Sequence, residues 1–266
     1  MGRIARRICA GALVVVAAAL VLWWQSRPDG RLRLIFPATS GDVLIMITPG
    51  GRVVLIDGGA DPSALPQILG RLMPVWERDI DAIVLTKADR SRLPGLLAAA
   101  RRYSIGTALL PAQPETEEEW ALRRLLTEHG TAVRVAPAGA TMEIDGVRLA
   151  VVAAGGGRLA LRLQYRSFAG LLAPAAREDD TALLAEQPAQ LLFYPWDAAG
   201  DRELAEHIGA RVVVYGEERD PSGSGQRRTY FERGSGKRRL LHERIDGDIE
   251  LISDGARIWV ETGAKE

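Results

Sequence analysis

The order of its short apolar runs is the strongest constraint on how this chain can fold. Three strand-like runs, Leu32–Phe36, Val43–Thr48 and Arg52–Asp57, follow one another and are separated by turns that contain glycine. A helix is then predicted from Ser63 to about Arg71, followed by a buried strand over Ala82–Leu85. The first part of the chain is therefore predicted to begin as a meander and to continue in alternating helices and strands.

The same alternation continues to the end of the sequence. The next elements predicted are the helix Leu93–Tyr103, the strand Thr107–Leu110, the acidic helix Glu115–Glu128 and the strand Ala132–Val135. A second half of similar order follows, with strands over Val147–Val152, Leu159–Tyr165, Phe168–Leu172, Leu191–Tyr194 and Val212–Tyr215 and helices near Glu178–Ala185 and Asp201–Ile208. Ile249–Ser253 and Ile258–Thr262 are predicted to form a last hairpin with a two-residue turn at Asp254-Gly255.

The N-terminal residues predict a membrane segment. Three arginines precede an uncharged run, Ile8–Trp24, which in a helix spans about 25 Å, close to the hydrocarbon thickness of a bilayer. The run could be a signal peptide, but no clear cleavage site precedes Gln25, and we expect an uncleaved single-pass anchor. Cationic flanks stay in the cytoplasm, so the following domain is expected on the extracytoplasmic side of a bacterial-type cell membrane. Residues 1–30 then form the cytoplasmic tip, the anchor and a short linker.

The composition of the rest of the chain is that of an ordinary globular domain. Without Arg3, Arg6 and Arg7, 31 basic residues face 34 acidic ones, a formal charge of −3. This part of the chain is therefore not a bulk polycation. Its length can bury one large core, and residues 31–266 are predicted to form one domain. The single cysteine, Cys9, lies in the apolar run, so no disulfide can form within one chain.

Several motifs in this domain resemble a known family. They are Ser40-Gly-Asp-Val-Leu-Ile, then Gly51-Arg-Val-Val-Leu-Ile-Asp-Gly-Gly59, then Leu85-Thr86 with Gly95-Leu-Leu, and later the run from Leu159 to Leu172. Together they resemble the metallo-β-lactamase fold, specifically the extracytoplasmic hydrolase-like domain of the DNA-uptake protein ComEC and its stand-alone relatives. The resemblance implies an α/β fold of the α+β sandwich kind, with four layers in the order αββα, preceded here by one transmembrane helix.

The metal ligands of that family are not present at the matching positions. Its loop His-x-Asp-x-Asp-His corresponds here to Lys87, Asp89, Ser91 and Arg92. Its Gly-Asp corresponds to Pro174-Ala175, and its Pro-His-His-Gly-Ser corresponds to the segment that holds Trp196 and Asp197. Only three histidines occur in the whole chain, and none pairs with another ligand at metal-binding spacing. We therefore expect no metal, no cofactor and no catalytic residue of the family's kind.

Fixed positive charge in the loop argues against a metal as well. At an effective dielectric of about 20, a unit charge 4 Å from a dication costs about 8 kcal/mol, and both Lys87 and Arg92 would introduce such a charge. Asp57, which supports the metal loop in the family, is expected to have a structural role here. It shapes the turn before Gly58-Gly59 and pairs with Lys87. Asp42, after Gly41, is expected to be a turn former.

Cations could instead bind a phosphodiester in the former metal pocket. A basic, Gly/Ser-rich insertion is predicted at about residues 217–244, with Tyr230 and Phe231 among its charges. If the loop and the insertion meet, guanidinium groups could hold phosphates and the aromatic rings could stack on bases. The alternative is that the insertion is a solvated hairpin or a disordered loop. The candidate polyanion-binding residues are Lys87, Arg90, Arg92, Arg227, Arg228, Lys237, Arg238 and Arg239.

Two functional hypotheses follow. The first is a membrane-anchored, catalytically inactive protein that acts as a binding or assembly module, with a nucleic acid or other polyanion, or a protein, as its partner. The second is an active hydrolase of the phosphodiesterase or nuclease type, with a rearranged or mononuclear site that uses Asp89, Asp197 and a histidine. Assay of hydrolysis with Asp89→Ala as a control separates the two hypotheses.

Overall fold

Two mixed β-sheets form the centre of the molecule. The computed structural model describes residues 28–74, 76–196, 201–216 and 238–263. The first sheet has the strand order β15-β14-β1-β2-β3-β4-β5-β6. Its strands are β1 Leu32–Phe36, β2 Leu44–Ile47, β3 Val53–Ile56, β4 Asp79–Val84, β5 Ser104–Leu110, β6 Ala132–Val135, β14 Ile249–Ser253 and β15 Ile258–Thr262. The strands from β3 to β6 are parallel, whereas the strands from β15 to β3 are antiparallel.

The second sheet has the order β13-β12-β11-β10-β9-β8-β7. Its strands are β7 Thr141–Ile144, β8 Val147–Gly155, β9 Arg158–Tyr165, β10 Phe168–Leu172, β11 Leu191–Pro195, β12 Val212–Gly216 and β13 Arg239–His242. β10 to β13 are parallel, and β7 to β10 are antiparallel. Each sheet therefore combines an antiparallel part with a parallel part.

Helices cover the outer face of each sheet. They are α1 Ala64–Leu72, α2 Leu93–Ala100 and α3 Glu117–Glu128 in the first half, and α4 Thr181–Ala185, after the 3₁₀ turn Glu178–Asp180, with α5 Asp201–His207 in the second. The short helix α6 Glu243–Asp246 follows β13 directly. Helix α3 begins at an N-cap, since the Thr116 hydroxyl accepts a hydrogen bond from the Glu119 N–H at 3.1 Å.

The alternation of side chains along the strands creates three buried layers. In β1, Leu34 and Phe36 point into the core between the two sheets, whereas Ile35 points toward helices α1 to α3. Between the second sheet and helices α4 and α5, Leu184 and Leu204 belong to a third core. The four-layer αββα arrangement predicted from the sequence is thereby confirmed for the described part of the chain.

The parallel strands give the sandwich two distinct edges. We call the edge at which β3, β4 and β10 to β13 end the carboxyl edge, and the edge at which they begin the amino edge. The edges of the two sheets coincide, because the Arg92 side chain after β4 donates to the Pro174 carbonyl after β10 at the carboxyl edge. At the amino edge, the Ser167 N–H donates to the Gly255 carbonyl at 3.0 Å.

Several sequence predictions need correction. Strand β7 was not predicted, because its half-exposed alternation carries few apolar residues. Residues 239–244, assigned to the basic insertion, form β13 and the beginning of α6; the basic residues around the start of β13 concealed a strand that is parallel to β12. The turn of the last hairpin is longer than predicted, since Ser253 pairs with Ile258 across four residues.

The remaining part of the insertion, residues 217–237, and the predicted anchor Ile8–Trp24 lie outside the described residues. Within the described ranges, no helix is long and apolar enough to cross a membrane.

Candidate functional site

Three loops meet at the carboxyl edge and are joined through their backbones. The Asp42 N–H donates to the Ser91 carbonyl at 2.9 Å, and the Gly59 N–H donates to the Asp42 carbonyl at 3.0 Å. The Gly58 N–H donates to the Arg92 carbonyl at 2.7 Å. These bonds connect the loop before β2, the loop after β3 and the loop after β4, so the backbone at Ser91 and Arg92 is held from two sides.

Glycine is required where these loops come closest. A Cβ atom at Gly95 would overlap the carbonyl oxygen of Gly58, and one at Gly41 would overlap the carbonyl oxygen of Ser91. Gly41 also has a φ of +81°, in the left-handed region that favours glycine. The glycines that carried the family resemblance therefore determine how close the three loops lie.

The side chain of Arg92 occupies the centre of this junction. It is only 8% exposed and forms ion pairs with Asp42 and Asp89, while its Nε lies 3.7 Å from Asp57 Oδ2. Its Nη2 also donates to the Pro174 carbonyl at 2.7 Å, which joins the first sheet to the second. Burial alone would lower the pKa of Arg92, but the three carboxylates outweigh burial and raise it above its usual value.

Asp57 is completely buried and has an unusual backbone conformation. Its φ is +59°, and its carboxylate accepts hydrogen bonds from the Thr86 N–H at 2.7 Å and from the Thr86 hydroxyl at 2.5 Å. Burial raises the pKa of Asp57 to about 8, although Arg92 and the two hydrogen bonds from Thr86 oppose that rise. Asp57 therefore holds its proton at neutral pH.

The first residues of the loop after β4 form a local ion-pair network. Lys87 Nζ lies 3.2 Å from Asp89 Oδ2, and Ser91 donates to Asp89 through its hydroxyl at 2.9 Å. Burial raises the pKa of Asp89, but Arg92, Ser91 and Lys87 together outweigh burial and hold that pKa below its usual range. The cationic partner of Asp57 is therefore Arg92, whereas Lys87 was predicted from the sequence.

Two other positions that match family ligands carry apolar side chains. Ala175, after β10, is buried, and Trp196, after β11, is 5% exposed and packs edge-on against Tyr215 and His242, with ring centroids 4.9 and 5.2 Å apart. Asp197 lies outside the described residues.

His242 is the one histidine of the described chain that reaches this edge, at the end of β13. Its Nδ1 accepts a hydrogen bond from the Arg244 N–H at 3.1 Å. Burial and the positive charge of Arg244 lower the pKa of His242 to about 4, while Asp246 opposes the shift. His242 is therefore neutral at physiological pH and caps α6.

These side chains do not fit the dinuclear metal centre that the fold resemblance implies. A divalent ion needs carboxylate or imidazole ligands that converge on it at about 2.0 to 2.3 Å. Here the carboxylates of Asp42, Asp57 and Asp89 converge on a guanidinium group instead. In the part of the chain that the structure describes, no group of three or more His, Cys, Asp or Glu could hold a metal ion.

The predicted polyanion-binding residues do not form one cluster among the described residues. Arg90 is exposed at the carboxyl edge, but Arg92 is buried among carboxylates. Arg238 and Arg239 lie at the beginning of β13, at the amino edge, where Arg238 Nε donates to the Ala210 carbonyl and Arg239 donates to the Val260 carbonyl. Arg227, Arg228 and Lys237 lie outside the described residues.

Sequence reasoning missed Asp42 as a member of the site. It was interpreted as a turn former, yet it is 1% exposed and forms an ion pair with Arg92. Its position within the first family-like motif, directly after Gly41, was the available signal. His242 was missed for another reason: only the fold brings β13 beside Trp196.

Comparison with known proteins supports the fold but not a closer relationship. No protein-family model matches the sequence, and no curated protein matches it. Among solved structures, the metallo-β-lactamase fold protein YhfI from Bacillus subtilis is similar with a TM-score of 0.60 at 11% identity, over 86% of this chain and 100% of YhfI.

Two further structures give the same result. A variant of the β-hydroxylase CmlA, a protein of Streptomyces venezuelae, is similar with a TM-score of 0.62 at 12% identity, over 83% of this chain and 53% of the CmlA chain. Zn²⁺-bound PqqB from Methylobacterium extorquens has a TM-score of 0.52 at 13% identity, over 76% of this chain and 85% of PqqB. Similarity at such low identity concerns architecture alone, and it agrees with the two sheets and four layers described above. The chain therefore has a metallo-β-lactamase fold.

Proposed function

We propose that this protein is a membrane-anchored, catalytically inactive member of the metallo-β-lactamase fold, related to the ComEC extracytoplasmic domain, and that it acts as a binding or assembly module. The observation that carries the proposal is the buried guanidinium of Arg92 among Asp42, Asp57 and Asp89. An active hydrolase of this fold needs that space for its metal ions, and here an internal counter-ion fills it.

The charges of this cluster support the proposal, because they balance without a metal. With Asp57 protonated, the cations of Arg92 and Lys87 face the carboxylates of Asp42 and Asp89. A divalent ion added to such a neutral cluster must either displace a buried guanidinium or lie beside it. Either route is strongly unfavourable at the short distances involved.

Metal analysis together with hydrolysis assays tests the proposal. The purified full chain is incubated with Zn²⁺ or Mn²⁺, desalted and analysed for bound metal, and is then assayed against nuclease, phosphodiesterase and esterase substrates. We expect no stoichiometric metal and no activity above that of a heat-denatured sample. Stoichiometric metal with hydrolysis would refute the proposal.

A pair of variants separates hydrolysis by this chain from hydrolysis by a contaminant. Asp89→Asn changes the loop after β4, and Asp79→Asn makes the same chemical change at the amino edge. Activity that disappears only with Asp89→Asn would establish the alternative, an enzyme with a rearranged site.

The partner class is tested through its dependence on salt. If phosphates of a nucleic acid are bound by the basic segment, the affinity falls steeply with salt, and the slope becomes shallower after Arg227→Gln with Arg228→Gln. Binding that does not change with salt would indicate a protein partner and assembly through apolar contacts.

A further inference from the structure

The amino edge of the sandwich carries many arginines. Arg31 precedes β1, Arg78 precedes β4, and Arg101 and Arg102 precede β5. Arginines also lie at the starts of strands in the second sheet and in the last hairpin. The full set, which we call the arginine rim, is Arg31, Arg78, Arg101, Arg102, Arg166, Arg211, Arg239 and Arg257.

The rim is accessible to solvent. All of its members are exposed. Arg52 and Arg238 lie at the same edge but pair with carboxylates, Arg52 with Asp81 and Asp145 and Arg238 with Glu206, so they do not belong to the rim. The charges of the rim are therefore open to solvent at the amino edge.

Carboxylates at the described part of this edge are fewer, and three of them accept hydrogen bonds within the protein, among them Asp29 from the Arg31 N–H at 3.0 Å. Asp145 accepts a hydrogen bond from the Thr48 hydroxyl, and Asp254 accepts bonds from the N–H groups of Ala256 and Arg257. The acidic residues in the loops and at the strand starts of this edge are Asp29, Glu77, Asp79, Asp145, Glu186 and Asp254. The edge therefore carries net positive charge, although the whole chain has a formal charge of zero.

The described chain begins at this same edge. Pro28 and Asp29 line one groove together with Met73 and Pro74, and the Tyr165 hydroxyl donates to the Gly30 carbonyl at 3.2 Å. In sequence, only three residues separate Trp24, the end of the predicted anchor, from Pro28. Such a link spans at most about 14 Å, so an anchored domain must hold its amino edge close to the bilayer.

Exposed tryptophans stand beside the arginines. Trp76, in the loop between α1 and β4, is 61% exposed, and Trp259 in β15 is 37% exposed. The guanidinium carbon of Arg31 lies 5.1 Å from the centre of the Trp259 ring. Tryptophan and arginine are the side chains that proteins place at the level of lipid headgroups.

We propose that the arginine rim, with Trp76 and Trp259, docks the domain onto a bilayer surface that contains anionic lipid headgroups. The proposal rests on the anchor in the proposed function and adds an orientation to it. The amino edge faces the membrane, and the Arg92 cluster faces away from it.

Nitroxide labels on two matched serines test this orientation. Ser104 is exposed at the amino edge and Ser40 is exposed at the carboxyl edge, and each can be replaced by cysteine in a Cys9→Ser background. The full chain is reconstituted in lipid discs of phosphatidylcholine, with or without phosphatidylglycerol. The accessibility of each label to a neutral, water-soluble nickel chelate is then measured. We expect phosphatidylglycerol to shield the label at Ser104→Cys and to leave the label at Ser40→Cys unchanged.

Charge variants then identify the rim as the cause. Each arginine at such a surface strengthens association about five-fold, so Arg78→Gln, Arg101→Gln and Arg102→Gln together should weaken docking about a hundred-fold and remove the shielding. The matched control changes to glutamine three exposed arginines that lie away from this edge: Arg90, Arg124 and Arg177. This control should retain the shielding of the label.

Several outcomes would overturn the proposal. Equal accessibility of the Ser104 label in both kinds of disc would do so, as would shielding that survives the rim variant. Shielding of that label by added duplex DNA, but not by phosphatidylglycerol, would assign the rim to nucleic acid instead. Failure of the chain to enter the discs would disprove the anchor, whereas bound metal with hydrolysis would refute only the proposed inactivity.

Discussion

Replacing Arg92 by glutamine should destabilise the domain strongly, because it leaves the buried carboxylate of Asp42 without the guanidinium that faces it. Asp42 is 1% exposed, and the guanidinium of Arg92 is itself 8% exposed. Removal of one partner from a buried ion pair costs about 3–5 kcal/mol. Both partners of the pair between Arg92 and Asp42 are less than a tenth exposed, so a loss of this size is expected here.

Thermal unfolding of the full chain in detergent, followed by circular dichroism, measures this effect. For a domain of this size, each kcal/mol corresponds to about 2–4 °C, so Arg92→Gln should lower Tm by about 10 °C. Arg90→Gln is the matched control, since it is the same change two residues earlier on an exposed side chain, and it should shift Tm by less than about 2 °C. Equal shifts for the two variants would refute the idea that Arg92 is the buried counter-ion.

Three further changes test other parts of the site. The pKa of Asp57 is about 8 when folded and near 4 when unfolded, so its contribution to stability is complete below about pH 4 and is lost as the pH rises to 8. Asp57→Asn should abolish this loss of stability with rising pH, as measured by denaturant titrations at a series of pH values. Gly95→Ala should cost about 3 kcal/mol, because its Cβ overlaps the Gly58 carbonyl, and a well-folded variant with unchanged Tm would contradict this packing. The pKa of His242 is lowered to about 4, so its contribution is present above pH 6.5 and is lost as the pH falls to 4. His242→Asn, which keeps an acceptor for the Arg244 N–H, should remove this loss of stability at low pH.

Most of the fold could be predicted, because its elements carry strong local signals. β1, β6, β10, β14 and β15 have the predicted boundaries, since each is a short run of apolar or alternating residues between turn formers. The elements that were missed or misplaced are polar. β7 is an edge strand with little burial, and β13 follows a run of basic residues whose charge indicated a solvated segment.

The candidate site could be located from the sequence, but the contacts among its side chains could not be predicted. The loop after β4 was recognised by its position between Thr86 and Gly95, whereas the roles of its two arginines were not distinguishable. Arg90 and Arg92 are two residues apart and chemically identical, yet one is exposed and the other is buried. What decides between them is the bond from the Gly58 N–H to the Arg92 carbonyl, a contact between distant parts of the chain.

The burial of Arg92 also determines where a partner could bind. An anion that approached this guanidinium would compete with Asp42, Asp57 and Asp89, and it would first have to lose its own hydration to enter a site that is almost closed to water. A phosphate gains nothing by exchanging water for a cation that is already neutralised. The former metal pocket is therefore a poor site for a polyanion, although its loop is rich in basic residues. Recognition at the carboxyl edge must use side chains that still face solvent, of which Arg90 is the nearest in sequence.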